Sequence, residues 1–390
     1  MDLMGLTEQV TAVEAGESGK ASAPEYQGAL GSLSVNASLT DVLARGVEEL
    51  RAAESAGDLK ETARCSLAVA EACRRLGRTA EADQAWKAGY RAARAAGDAA
   101  AMAWALWSGG TLARQRGAFR LAYRLLALAA EWGERGGDVV VRGYSLAGLA
   151  ETGRIQGDYA AVEELHEQLL AEARRRGEAR HTVWALEGIA QMHRNTGAYD
   201  RAHALFEEAA EIADRAEDRR GWAWALRGMA DVVSVRDGDV EQALTLLSRA
   251  EAACRTMELR GALAFNLKMR GNVLYRAGRY DQARELYTRA LTEFRDMAEP
   301  RGTALSRLGL AKARARLGRD SAETAAELAV LRTELNRIGL HHARDMVDKA
   351  AAELGVGPLP GPVPRAAAAT TPPDAYRAEA LRATDVAGLR

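Results

Sequence analysis

Apolar and small side chains recur along most of this chain with the period of an amphipathic α-helix. Counted back from Gly117 and Gly197, the positions eleven, eight, seven and four residues earlier fall within about 100° of one another on a helical wheel. They hold Leu106, Gly109, Gly110 and Ala113 in the first segment and Leu186, Ile189, Ala190 and His193 in the second. The pattern predicts helices that bury one stripe against their neighbours.

Turn glycines separate these helical segments at a constant interval. Eight of them fall at 20-residue steps from Gly57 to Gly197, and alternate ones continue through Gly238, Gly278 and Gly318 after a one-residue insertion. Glycine just past a helix end adopts the left-handed conformation, and an acidic residue beside it caps the next helix. The pairs that fit this interpretation are Gly57-Asp58, Gly97-Asp98, Gly137-Asp138 and Gly177-Glu178.

Two consecutive steps make a two-helix repeat of 40 residues, and the spacing predicts seven such repeats. The first helix of each repeat, called the A helix, is expected at about 58–75, 98–115, 138–155, 178–195, 218–236, 259–276 and 299–316. The second, or B, helices fill the alternate segments. A further helix near 38–56 precedes the stack, and a polar helix near 340–354 forms the cap that a solenoid requires.

Composition sets the limits of the repeat region at residues 38–354. Residues 1–37 are rich in Gly, Ser and Ala and are predicted to form a mobile N-terminal segment. Residues 355–390 form a Pro/Ala-rich tail that we expect to be largely disordered, with one short helix at 374–383.

The repeat resembles the tetratricopeptide repeat. The G-x-Y-x-x-A signature of that family stands as GAYDRA at 197–202 and GRYDQA at 278–283, with looser copies GAFRLA at 117–122 and GDYAAV at 157–162. The chain departs from the family in its period of 40 rather than the usual 34 residues. Leucine replaces the early tryptophan of the A helix, and the late proline is absent. The longer period is similar to that of repeat domains in bacterial sensors and regulators.

The resemblance implies an all-α fold, a right-handed superhelical solenoid of seven antiparallel two-helix repeats with end caps. In the family, the A helices line the concave surface. The departures in period mean that no particular peptide-binding clamp is carried over.

Two rows of side chains repeat along the A helices. About thirteen residues before the turn glycine stands the aromatic row, which consists of Trp104, Tyr144, Trp184, Trp224 and Phe265. Three residues before the glycine stands the arginine row, which consists of Arg74, Arg114, Arg154 and Arg194. The resemblance implies that both rows face the groove. Other predicted groove positions are Glu151, Gln191 and Asn272 and the irregular residues Trp107, Glu187, Lys268 and Tyr275.

Each row also has an interpretation without a ligand. The aromatic side chains can form the core between repeats, because tryptophan is mostly buried in proteins. The arginines can pair with acidic or amide side chains of adjacent helices as a solvated ladder. If the rows do bind, the guanidinium fork suits carboxylates and the rings suit apolar groups. An acidic partner segment with apolar side chains is the predicted ligand.

Charge and composition narrow the classes of function. The 53 basic and 54 acidic residues nearly cancel, so no global field draws the protein to nucleic acid or anionic lipid. We expect a cytoplasmic protein, because no run approaches the roughly 20 apolar residues of a membrane span and the start lacks the regions of a signal peptide. Three cysteines without metal-ligand spacing predict reduced thiols. No catalytic residue, metal site or cofactor is predicted.

The sequence thus favours a non-catalytic interaction module that binds a peptide or protein segment in its concave groove as a regulator or adaptor. The alternative is a small-molecule sensor, or an unusual enzyme, with its site inside the superhelix. Single-stranded RNA binding is a weaker option, because helical repeats can stack bases but the net charge is near zero.

Overall fold

A computed structural model describes residues 38–157 and 159–359. The predictions made for residues 1–37, and for all but the start of 355–390, lie outside these residues. Helices occupy almost all of the described chain. They are α1 Leu39–Ala56, α2 Leu59–Arg75, α3 Thr79–Ala95, α4 Ala99–Gln115, α5 Phe119–Arg135, α6 Val139–Gln156, α7 Tyr159–Arg176, α8 Ala179–Thr196, α9 Tyr199–Arg215, α10 Arg219–Arg236, α11 Val240–Thr256, α12 Arg260–Arg276, α13 Tyr280–Asp296, α14 Pro300–Arg316, α15 Ser321–Ile338 and α16 His341–Glu353.

The helices form an all-α solenoid, as predicted. The seven A helices are α2, α4, α6, α8, α10, α12 and α14, and each is followed by its B helix. Each A helix packs against the A helix of the next repeat, whereas consecutive B helices show no comparable contact among the described residues. The A helices are therefore the inner layer and the B helices the outer layer.

Acidic residues cap most A helices because the first backbone N–H groups of a helix have no partner within it. Oδ1 of Asp58 accepts from the N–H groups of Lys60 and Glu61 at 3.1 and 3.0 Å, and Asp98 and Asp138 cap α4 and α6 in the same way. The predicted cap at the start of α8 is wrong. The carboxylate of Glu178 makes no capping hydrogen bond.

Glu178 instead contacts two side chains near the start of α8. It accepts a hydrogen bond from Arg176 at 3.0 Å and pairs with the ring of His181. Burial alone would raise the pKa of Glu178, but His181 and Arg176 lower it. Because Arg176 and His181 hold the carboxylate, it does not accept from the first backbone N–H groups of α8.

The turns from a B helix to the next A helix keep one backbone conformation even where glycine is absent. Gly57 has φ of 68°, and the equivalent residues later in the chain are Glu217, Glu258 and Ala298, with φ of 54, 54 and 50°. A side chain in the left-handed region costs roughly 1–2 kcal/mol. The repeat geometry therefore imposes this conformation on residues that do not favour it.

Small residues on the A helices let large side chains of the B helices approach closely. The predicted stripe of Leu106, Gly109, Gly110 and Ala113 is buried throughout. A Cβ atom built on Gly109 would lie 2.7 Å from the ring of Trp86, and one on Gly110 would lie 2.7 Å from Leu126. The stripe is the seam between the A and B layers, as the pattern predicted.

The superhelix also packs against itself. Ser38 Oγ and the backbone N–H of Thr40 donate to the carboxylate of Glu258 at 3.0 and 2.9 Å, across 220 and 218 residues of sequence. The same offset brings Met297 against Gly77, where a Cβ atom would lie 2.8 Å from the methionine Cγ. Turns in the first repeats thus meet turns that come more than five repeats later.

Further contacts of this kind follow along the same junction. Pro300, at the start of α14, packs against Gly117, and Gly339 packs against Gln156. The hydroxyl of Tyr159 lies 2.8 Å from Nδ1 of His342 in the cap helix α16. Because one turn of the superhelix rests on the next, the inner surface is enclosed along this side.

No helix within the described ranges is both long and apolar enough to cross a bilayer.

Candidate concave binding surface

The first part of the aromatic row, together with the neighbouring Trp107, is packed into the protein core. Trp104, Trp107 and Tyr144 are 1, 3 and 1% exposed. The rings of Trp104 and Trp107 meet edge-on at 5.4 Å, and Trp107 lies 5.6 Å from Tyr144. The indole N–H of Trp104 donates to Asp138 at 2.8 Å. These rings fill the space between the A helices α4 and α6 and have little surface to offer to a ligand.

The later part of the aromatic row reaches the inner surface. Trp184, Trp224 and Phe265 are partly exposed, and Trp184 extends the stack with its ring 5.1 Å from Tyr144. The buried indole nitrogen of Trp224 has no hydrogen-bond partner within the described part of the chain. The aromatic row therefore changes from core to accessible surface between α6 and α8.

The first three members of the arginine row are paired with carboxylates. Arg74 donates to Glu71 at 2.6 Å, Arg154 donates to Glu151 at 2.7 Å, and Arg114 lies 3.7 Å from Glu151. Burial alone would raise the pKa of Glu151, but the charge of Arg154 and other arginines lowers it to about 2. The pairs of Arg74 and Arg154 lie within one helix, and the contact of Arg114 with Glu151 joins two successive repeats.

The fourth member pairs with a carboxylate of the following repeat. Arg194 forms an ion pair with Asp231, whose other oxygen accepts from Arg276 at 2.8 Å. Arg276 also donates to Ser234 at 3.1 Å. Burial opposes ionisation of Asp231, but Arg276 and Arg194 hold its pKa below the usual range. One carboxylate is therefore shared by two arginines of the inner surface.

A different set of cations stacks on the accessible aromatic rings. The guanidinium carbon of Arg220 lies 4.6 Å from the ring centre of Trp224, and that of Arg227 lies 6.0 Å from it. Arg227 and Arg301 lie 5.9 and 5.6 Å from the ring centre of Phe265. Arginines thus alternate with rings along α10, α12 and the start of α14.

Lys268 stands one helical turn after Phe265, at the same repeat position as Arg227 after Trp224. It is 8% exposed. Burial lowers its pKa to about 7, with Asp231 opposing the shift and nearby arginines adding to it. The cation cluster, defined as Arg227, Lys268 and Arg301, combines charges from three successive A helices.

Glu187 occupies the equivalent position on α8. It is 7% exposed, and its Oε1 has no hydrogen-bond partner among the described residues. Burial raises its pKa to about 8, against the opposing charge of Arg180. At neutral pH this carboxyl holds its proton and supplies no counter-charge to the cations.

The remaining predicted residues divide between the inner surface and structural contacts. Gln191 is partly exposed on α8. Asn272 accepts from the hydroxyl of Tyr287 at 2.9 Å, and the hydroxyl of Tyr275 donates to Glu353 of the cap helix at 2.8 Å. Tyr275 therefore belongs to the contact that seats α16.

Two important cations were missed by the sequence reasoning. Arg227 was detectable, because it lies one repeat before Lys268 in the same register. Arg301 was not detectable from the sequence. It lies on the next A helix, and only the superhelical turn places it beside Phe265. Burial and the neighbouring charge of Arg154, from a repeat far earlier, together lower the pKa of Arg301 to about 10.

Within the described ranges, one group of side chains has metal-ligand spacing, namely Glu49, Glu61 and Cys65. The guanidinium of Arg64 lies among them and donates to Glu49 at 2.7 Å and to Glu61 at 2.5 Å. Burial raises the pKa of the Cys65 thiol to about 11. A cation of the protein itself therefore occupies the place that a metal would take.

Comparison with known proteins gives matches at the level of the repeat. Residues 182–256 match a family model described as tetratricopeptide repeat, and residues 264–296 match a second model with the same description. The comparison with curated proteins gave no match.

Solved structures show a similar fold at low sequence identity. A Rap protein complexed with Competence and Sporulation Factor is 14% identical, with a TM-score of 0.51, and the match covers 81% of this chain and 97% of that chain. BtubC (BKLC) from P. vanneervenii is 16% identical, with a TM-score of 0.37, over 64% of this chain and 94% of that chain.

Proposed function

Because this chain is a tetratricopeptide-repeat protein, we propose that it is a non-catalytic interaction module that binds an extended peptide or protein segment on its concave surface. The observation that carries the proposal is the line of partly exposed rings of Trp184, Trp224 and Phe265 on three successive inner helices. Aromatic rings beside arginines are typical of the residues that dominate binding energy at interfaces.

The chemistry of the surface supports a partner that is acidic and partly apolar. Asp231 is already shared by Arg194 and Arg276, and Glu187 holds its proton at neutral pH. The nearby cations therefore exceed the available negative charge. Carboxylates of a bound segment would supply the missing charge, and its apolar side chains would cover the rings.

We propose that the protein acts as a regulator or adaptor, since such a role requires a surface that holds a partner. The Rap protein of similar fold was solved as a complex with Competence and Sporulation Factor. From that complex we infer for this chain only that such a fold can hold a partner. The cytoplasmic location stays a prediction from the sequence.

Site-specific photo-crosslinking tests the binding surface. The photoreactive amino acid p-benzoylphenylalanine would replace Trp184 or Phe265 in the full chain, and Val330, which is 60% exposed on the outer helix α15, is the matched control. We expect both inner positions to form adducts with the same peptide segment in cells and the outer position to form none. Equal labelling at Val330, or no adduct at either inner position, would contradict the proposal.

The segment identified in this way would then be synthesised, and its affinity measured by fluorescence anisotropy. Trp184→Ala should weaken binding by about tenfold or more, as expected for an aromatic anchor. Trp132→Ala is the control, because Trp132 is also partly exposed and stacked by an arginine, Arg135, but lies on the B helix α5. Circular dichroism would establish that both variants remain folded.

A small-molecule ligand is a second candidate, favoured by the enclosure of the inner surface. The charge of Arg301 on α14 acts on Glu151 and Arg154 of α6, because the superhelical turn brings these helices together. An enclosed surface lined by arginines suits a compact anion. A thermal-shift screen against anionic metabolites tests this candidate, and it fails if none of them raises the unfolding temperature.

A further inference from the structure

Two members of the cation cluster stack on the ring of Phe265, and the third follows that ring on the same helix. Arg227 and Arg301 come from different A helices, yet both guanidinium carbons lie within 6.0 Å of the ring centre of Phe265. Lys268 follows Phe265 by one helical turn on α12, and the charge of Arg301 acts on it. The superhelix therefore concentrates three positive groups on one part of its inner surface.

No carboxylate pairs directly with these cations in the described part of the chain. None of the three forms a hydrogen bond or ion pair with a described residue, although Lys268 is only 8% exposed. Burial lowers the pKa values of all three groups. Arg227 and Arg301 are partly exposed, so these charges are only partly removed from water. Partial desolvation without a partner is unfavourable, and like charges nearby add to the cost.

The surrounding protein does not correct this imbalance. Asp231 acts on Lys268 but forms its ion pairs with Arg194 and Arg276. Glu187 acts on Arg227, and burial raises its pKa to about 8. Glu151 and Glu299 act on Arg301, but Glu151 pairs with Arg154 and burial raises the pKa of Glu299 to about 7. Stacking on Phe265 compensates part of the desolvation of the guanidinium groups but leaves their N–H edges available.

We infer that Arg227, Lys268 and Arg301 form a receptor for an oxyanion group, either a phosphate or a pair of carboxylates, whose organic part lies against Trp224 and Phe265. The inference rests on the proposed role of the concave surface in binding. It adds the chemical class of the group bound at one place on that surface. The guanidinium forks donate to the oxyanion, and the lysine contributes a point charge.

Binding of this group is coupled to a proton on Lys268. The charged groups that act on the lysine are Asp231, Arg194, Arg301 and Arg276, and burial holds its pKa at about 7. A bound anion favours the ammonium form, so the complex takes up a proton above neutral pH. Affinity should therefore fall by about tenfold between pH 6 and pH 8.

Isothermal titration calorimetry on the full chain at low salt tests the receptor. The probes are inorganic pyrophosphate and an N-acetylated pentaglutamate amide, with pentalysine as the probe of opposite charge. Arg227→Gln and Arg301→Gln should each weaken binding by about tenfold or more. The matched control is Arg249→Gln, because Arg249 stacks on Trp222 at 5.0 Å but is exposed on the B helix α11.

The charge-conserving variant Lys268→Arg provides an independent readout. Arginine stays protonated across the range, so this variant should bind the anion at pH 6 and keep its affinity at pH 8. Binding of pyrophosphate alone identifies a compact anion as the ligand, and binding of pentaglutamate alone identifies an acidic peptide. The receptor is refuted if neither probe binds, if Arg227→Gln and Arg301→Gln bind as tightly as the wild type, or if Lys268→Arg keeps the pH dependence.

This experiment separates the two proposals. Adducts at Trp184 together with no anion binding would remove the oxyanion receptor and leave the peptide-binding surface in place. Anion binding at the cation cluster together with no peptide adducts would keep the receptor and remove the peptide-binding role.

Discussion

The hydroxyl of Tyr159 and Nδ1 of His342 lie 2.8 Å apart, although 183 residues separate them in the sequence. The same hydroxyl accepts a hydrogen bond from Nδ2 of Asn195 at 2.9 Å. Burial lowers the pKa of His342 to about 3, with the charge of Arg194 acting in the same direction, so the imidazole is neutral at physiological pH. This contact links the start of α7 to the cap helix and holds one superhelical turn on the next.

Tyr159→Phe should destabilise the protein by about 1–2 kcal/mol, because it leaves the polar partners of the hydroxyl unsatisfied. Urea unfolding measures the loss, and hydrogen exchange should show faster opening of α16. Tyr199→Phe is the matched control, since Tyr199 stands at the equivalent position one repeat later and its hydroxyl makes no hydrogen bond with a described residue. Equal losses in the two variants would show that the contact does not stabilise the junction.

Gly228→Ala should destabilise the protein by about 1–3 kcal/mol through overpacking. A Cβ atom on Gly228 would lie 2.4 Å from the ring of Phe206, which is fully buried. Gly261→Ala is the control, because nothing lies within 4 Å of the added carbon and alanine favours a helix. The control should be neutral or more stable by up to about 1 kcal/mol, as measured by thermal unfolding. If Gly228→Ala left the stability of the protein unchanged, the tight packing at the seam between layers would be contradicted.

Ala298→Gly should stabilise the protein by about 1 kcal/mol, since the alanine has φ of 50° and glycine adopts this conformation freely. Glu258→Gly relieves the same backbone strain at φ of 54° but removes the hydrogen bonds to Ser38 and Thr40. We therefore expect Glu258→Gly to gain less stability than Ala298→Gly in urea unfolding. An equal gain would mean that the junction at Glu258 contributes nothing to stability.

Asp231→Asn should destabilise the protein by about 3 kcal/mol or more, because it leaves Arg194 and Arg276 without their shared carboxylate. Asp231 is only 4% exposed, so water compensates little. The control is Asp281→Asn, whose carboxylate pairs with Arg284 on the surface at 3.0 Å. That exposed pair should change the free energy of unfolding by less than about 1 kcal/mol.

Glu187→Gln should make stability less sensitive to a rise in pH from 5 to 8. Burial raises the pKa of Glu187 from 4.5 to about 8, so the folded protein holds a proton that the unfolded chain has lost between these values. The stability that the protonated Glu187 contributes is fully present below pH 4.5 and decreases as the pH rises to 8. Between pH 5 and pH 8, the free energy of unfolding of the variant should therefore rise relative to that of the wild type by about 1 kcal/mol or more. A difference that stays constant from pH 5 to 8 in urea unfolding would contradict the raised pKa.

Helix positions were predictable because they depend on local chemistry. The glycine spacing placed the A helix at 178–195, and the structure places it at Ala179–Thr196. The same local rules failed at Glu178, where a cation from the preceding helix and a histidine one turn later take the carboxylate. They also gave no sign that Glu217, Glu258 and Ala298 would keep the glycine conformation. In both cases neighbouring structure overrides the preference of the residue.

The candidate site was predictable only in part. The aromatic row was visible as a repeat, but a constant spacing could not distinguish the buried Tyr144 from the partly exposed Trp224. The difference depends on what fills the inner surface at each level of the superhelix. Arg301 acts together with Arg154 because the superhelix brings their helices together, and no local pattern contains that information.

The sequence by itself determined the repeat, the helix lengths and the seam of small residues, because hydrophobic period, glycine turns and caps act within one or two helical turns. Only the tertiary structure decided which aromatic rings are core, which arginines keep a carboxylate and which cations lack one. Those outcomes depend on the superhelical turn that sets Tyr159 against His342, and its path is the sum of small rotations between repeats. Each rotation comes from the packing of side chains across the seam, which a one-dimensional pattern does not specify.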